Sequence, residues 1–108
     1  MVFIFETTIN SQSPQEITVT VESHVDKDDH GQKVEAYDYL NSSWVLVADQ
    51  PATNGTDSSI VVTLPGDPAR YIGDSDAAKI RVTTYVYPGY SHGSHYVFFD
   101  YVKWDVLH

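Results

Sequence analysis

Residues Lys79 to Tyr87 read KIRVTTYVY, and the reading of these nine positions decides the fold. Ile80, Val82, Thr84 and Val86 form one set, and Arg81, Thr83, Tyr85 and Tyr87 the other. A repeat of two puts alternate side chains on opposite faces of a pleated strand, with the aliphatic set inward. Threonine, valine, isoleucine and tyrosine suit such a surface because branched and aromatic side chains pack well on a pleat.

The same period extends outward in both directions. Ile17, Val19 and Val21 alternate with Thr18, Thr20 and Glu22, and Ile60, Val62 and Leu64 share a face. Trp44, Leu46 and Ala48 share parity, which predicts that Trp44 is a core residue. Trp104 shares parity with Val102 and Val106 and is assigned to the core on the same ground. VFIF near the start reads as a first strand. Between the runs lie turn formers: Asn10 to Pro14, Asp26 to Gly31, Asn41 to Ser43, Gln50 to Asp57, Pro65 to Pro68, Gly73 to Asp76 and Pro88 to Gly93. No amphipathic helical stretch is visible beyond a single turn near Asp76. About seven or eight short strands separated by turns predict one all-β domain, an antiparallel β-sandwich of jelly-roll-like form. The closing run from Tyr96 has no clean polar face, so either both of its faces are covered or a bulge switches parity near Asp100.

The chain has 108 residues, enough for a real core. It contains no cysteine, so disulfides and thiolate metal sites are excluded. The formal net charge of −9 repels phosphate backbones and anionic headgroups, which argues against nucleic-acid and membrane partners. There is no G-x-S-x-G, no phosphate-cradling glycine loop and no H-E-x-x-H, so nothing calls for catalysis.

Four groups of residues carry possible chemistry. The first is the aromatic segment around Pro88-Gly89, read as a hairpin whose rings form a carbohydrate platform. A flat ring laid on the apolar face of a sugar gains contact without charge, and a phenol reaches sugar hydroxyls. Tyr85, Tyr87, Tyr90 and Tyr96 would supply rings, with His92 and His95 as hydrogen-bonding partners. The competing reading has these rings covering a sheet face as cross-strand pairs.

The second group is DKDDHG, Asp26 to Gly31, where Asp26, Asp28 and Asp29 offer oxygens to a structural Ca²⁺. It is not an EF-hand, because His30 replaces an oxygen ligand and Tyr37 stands where a bidentate glutamate belongs. A solvated acidic turn accounts for it equally. The third is His92 and His95, which could join a transition-metal site with His24, His30 or an aspartate, or could simply contact sugar. The fourth is Asp38 and Asp100, each inside a strand between apolar neighbours and read as structural hydrogen bonders to a turn or bulge.

Three further segments carry a resemblance. QKVEAYDYLNSSWVL (32–46) is followed by a Thr/Ser-rich strand, then PGDPARYIGD, KIRVTTYVY and a closing FFDYVKW. This order resembles the jelly-roll accessory domains of large secreted bacterial proteins, and the closing strand is similar to that of jelly-roll carbohydrate-binding modules. The resemblance implies a non-catalytic polysaccharide-binding module of an extracellular enzyme, a secreted monomer cut from a larger chain. It also implies a rival role, a spacer or adhesion module packing on neighbouring domains of that chain.

Overall fold

The computed structural model describes residues 1–10, 13–89 and 95–107. Its strands are β1 (Val2–Thr8), β2 (Glu16–Val25), β3 (His30–Asp38), β4 (Ser43–Pro51), β5 (Ser58–Thr63), β6 (Ala77–Val86) and β7 (Val97–Leu107). Two short 3-10 turns, Pro68–Tyr71 and Asp74–Asp76, bridge β5 to β6. One sheet has the order β1-β6-β3-β4 and the other β5-β2-β7, with antiparallel pairing between all neighbouring strands. The expected antiparallel sandwich is the fold.

The alternation read from the sequence explains the core. Ile17, Val19 and Val21 of β2 face Val34, Ala36, Ile80 and Val82 of the other sheet, and all seven are sealed from solvent. Each such side chain contributes about 1.5–3 kcal/mol by leaving water. Ile60, Leu64 and Tyr71 close one end, and Phe99 meets Phe3 and Phe5 edge-on at centroid distances of 5.0 and 4.9 Å, pinning β7 to β1. Toward the other end the interior is polar. Ser23, His30, Gln32 and Thr84 are all buried there, and Gln32 Nε2 donates to Ser23 Oγ across the two sheets at 3.0 Å.

Two expectations are corrected. The segment from Tyr85 to Tyr96 is not a hairpin: β6 pairs with β1 and β3, whereas β7 pairs with β2 in the other sheet. The connection is therefore an arch from sheet to sheet. Trp44 is not in the core either. Opposite Val34 and Glu35 the β3–β4 register slips, so Ala48 packs inward while Trp44 and Leu46 lie on the outer face, Leu46 with 55% of its surface exposed. Trp104 does pack against the core, opposite Val19.

Candidate functional site

β7 carries the exposed rings. Val102, Trp104 and Val106 pair with Val21, Val19 and Ile17 and point inward with them. The register then shifts between Glu22 and Ser23: Tyr101 lies opposite Glu22, and Phe99 opposite Ser23. Asp100 is the extra residue of this bulge, as the mixed faces of the strand suggested. One additional residue inverts the alternation beyond it, so Phe99 turns inward while Phe98 turns outward to join Tyr101. Phe98 and Tyr101 on this edge strand are consequently 49% and 41% exposed, and Tyr96, immediately before the strand, is 66% exposed.

Polar groups flank the rings. The His24 ring stacks on Phe98 at 4.8 Å with an interplanar angle of 17°, and its Nδ1 lies 2.6 Å from Asp57 Oδ1. Oxygens of Glu22, Asp57 and Asp100 fall within 4.8 Å of one another. Ser59 donates to Glu22 at 3.3 Å. The Tyr101 phenol is held above its usual range, first by its hydrogen bond to Glu22 and then by the Glu22 charge, so it remains a donor. The Tyr96 backbone N–H donates to Asp26 Oδ1 at 2.8 Å, which fixes the top of the row. A line of partly exposed rings, Phe98 with one face covered by His24, bordered by carboxylates can hold a polyhydroxylated chain by ring contact and by accepting its hydroxyl protons.

The other residues singled out from the sequence are dispersed. Tyr85 and Tyr87 sit half-buried on the outer face of the four-stranded sheet, edge to face at 5.8 Å. The Tyr85 ring lies against Gly31, with Lys33 Nζ 5.1 Å from its centroid, and its hydroxyl donates to Asp49 at 2.6 Å. Tyr90 and His92 lie outside the described residues. His95 is half-buried at the polar end of the interior, 2.7 Å from Thr84 Oγ1 and with its ring 4.4 Å from that of His30. Among the described residues of the predicted platform, Tyr96 alone joins the exposed row, immediately before β7.

Asp26, Asp28 and Asp29 do not form a described cluster of converging ligand atoms; among the described residues that arrangement belongs to Glu22, Asp57 and Asp100. Asp28 instead accepts from Asn54 at 3.3 Å, and its backbone carbonyl is 2.7 Å from His30 Nδ1. Asp38 is the turn residue it was read as. It accepts from the backbone N–H groups of Leu40 and Asn41 and from Asn41 Nδ2, and Arg70 Nε lies 2.9 Å away. Phe98, Tyr101 and His24 were not chosen from the sequence as sugar contacts. The signal that could have found Phe98 and Tyr101 was the parity switch at Asp100, applied to the rings on either side of it.

Trp44, Tyr37 and Tyr39 make a second aromatic group, on the four-stranded sheet. Here the ring faces are taken by the chain's own cations: Lys79 Nζ lies 4.4 Å from the Tyr37 centroid, and the Arg81 guanidinium 4.5 Å from that of Trp44.

The fold and its exposed rings define a small β-sandwich module with an open aromatic face. Residues 1–87 match the model of the N-terminal glycosyl-hydrolase-114-associated domain, so the chain belongs to that family and is an accessory domain of a glycosyl hydrolase. No curated protein and no solved structure matches it. No helix among the described residues is long and apolar enough to cross a membrane.

Proposed function

We propose that this domain binds polysaccharide non-catalytically, delivering its companion hydrolase to an extracellular glycan. The observation that carries the reading is the row Tyr96, Phe98 and Tyr101, three solvent-exposed rings at the start of β7 and the residue just before it. Association with a glycosyl hydrolase supplies the context in which such a row is useful. The carboxylates of Glu22, Asp57 and Asp100, one half-buried and two exposed, act as hydroxyl acceptors. Affinity is modest, because a few stacked rings leave little after ordering and desolvation costs.

Affinity electrophoresis against a panel of soluble polysaccharides tests the reading. Retardation by at least one polymer, with Kd raised about tenfold (1.4 kcal/mol) by Phe98→Ala or Tyr101→Ala, is the expected result. Retardation by none, or retardation indifferent to both substitutions, rejects it.

A second reading rests on a different face. Val2 and Ile4 on β1 are 59% and 56% exposed at one edge of the four-stranded sheet, and Leu46 on β4, next to Trp44, is 55% exposed at the other, two apolar edges suited to packing against neighbouring domains of the parent chain. Protection of β1 and β4 from hydrogen exchange in the parent chain, relative to the isolated domain, would support it.

A further inference from the structure

The end of the sandwich where β3 turns into β4 holds a groove of about 830 Å³, within the roughly 300–1,000 Å³ of small-molecule sites. One wall is Tyr39 and Leu40, which follow β3; the other is the β5–β6 connection, with Asp67, Arg70, Ile72 and Asp74. These residues are distinct from the rings of β7 and lie within the span matched to the family.

The groove is preformed. The Tyr39 backbone N–H donates to the Arg70 carbonyl at 2.8 Å, tying the two walls together. Arg70 Nε lies 2.9 Å from Asp38 Oδ2, a close charge contact without hydrogen-bond geometry, and Asp38 is itself fixed by the turn at Leu40 and Asn41. The Tyr39 ring is wedged between Gly73, where a Cβ would collide with it, and Tyr37, which meets it edge-on at 4.9 Å. Burial, followed by the charges of Glu6 and Tyr37, raises the Tyr39 phenol above its ordinary range, so it stays a donor.

The lining selects a ligand class. Ile72, Tyr39 and the 76%-exposed Leu40 offer apolar contact, which a metal ion or small anion does not use. Asp67 and Asp74 outnumber Arg70, whose charge already answers Asp38, so an anionic ligand is disfavoured. A sugar ring has the matching chemistry, an apolar face edged with hydroxyls that both donate and accept.

We infer that this groove is a second saccharide site, one that takes a single sugar unit or a chain end rather than a run of polymer. The inference rests on the carbohydrate reading for its ligand class and not on the β7 row. Amide shifts in ¹H–¹⁵N spectra test it, with a panel of methyl glycosides and disaccharides as probes. The expected result is a saturable shift at Tyr39, Leu40, Arg70 and Gly73 with at least one sugar. It should persist in the Phe98→Ala/Tyr101→Ala double variant and weaken at least fivefold in Gly73→Ala, whose added Cβ displaces the Tyr39 ring. Asp74→Asn, an exposed change that leaves the fold alone, should weaken it as well. Absence of shifts at these amides with every sugar, or shifts unmoved by both substitutions, overturns the inference. Groove shifts in the unaltered domain without retardation by any polymer, or with retardation indifferent to Phe98→Ala and Tyr101→Ala, would sink the β7 reading alone.

Discussion

Phe98 and Phe99 are consecutive on β7 and face opposite ways, Phe98 stacked under His24 at 4.8 Å and Phe99 driven between Phe3 and Phe5 at 5.0 and 4.9 Å. The bulge at Asp100 decides which of the two is inside. Removing Phe99 leaves a void where β1 and β7 meet, whereas removing Phe98 uncovers only the His24 ring. Phe99→Ala should therefore cost up to about 3 kcal/mol, and Phe98→Ala no more than about 1 kcal/mol. Urea denaturation of the two variants checks the order; equal losses would mean the bulge is misplaced.

The slip in β3–β4 pairing yields a parallel test on the other sheet. Leu46 is 55% exposed, so Leu46→Ala should change stability by less than about 0.5 kcal/mol. Ile80, fully buried on the inner side of the same sheet, should lose about 2–5 kcal/mol on truncation to alanine. Thermal or urea unfolding distinguishes them, and a Leu46→Ala loss on the Ile80 scale would return β4 to a core-facing alternation.

These contrasts also mark how far the sequence could be read. Strict alternation placed Ile17 to Val21, Ile60 to Leu64 and Ile80 to Val86 correctly, because those strands run without irregularity through a sheet with one covered face. Trp104 followed, its parity being shared with Val102 and Val106 on the regular side of the bulge. Trp44 did not, because Ala48, used to set its face, lies beyond the slip in β4. Local periodicity reports a side chain's face but not its sheet. Tyr85 and Tyr96, only eleven residues apart, thus read as one hairpin platform although their strands belong to different sheets. The groove beside Tyr39 was illegible for a similar reason: its walls are far apart in sequence and are brought together by tertiary contacts, among them the Tyr39–Arg70 backbone hydrogen bond, the Asp38–Arg70 pair and the Tyr39 ring against Gly73.

Tyr85 offers a spectroscopic check on the outer face. Its hydrogen bond to Asp49, with burial and the Asp49 charge adding to it, pushes its pKa up to about 12. A phenol whose folded pKa is raised contributes stability that is complete below the ordinary value near 10 and lost as pH rises through the folded value. Ultraviolet titration should show one tyrosine ionising near the upper limit, and Asp49→Asn should bring it back toward the others. An unchanged profile in that variant would remove Asp49 as the cause.

His95 sets the behaviour on the acid side. Burial lowers its pKa first, and the neighbouring His30, the chain's amino terminus and Lys27 act in the same direction, with Asp26 opposing them. The unfolded chain therefore takes up this proton at a higher pH than the folded one. Stability from this group is intact above the ordinary histidine value near 6.5 and declines as pH falls through that value toward the lower, folded one. Protonation would also place a charge beside the buried His30 ring and disturb the contact with Thr84, at the point where the chain enters β7 just before Tyr96. Melting temperatures measured from pH 8 to pH 5 should fall on the acid side, and His95→Gln should flatten that limb. Polysaccharide retardation should weaken over the same interval if entry into β7 also positions Tyr96. A melting profile equally steep in His95→Gln would assign the acid sensitivity to other groups.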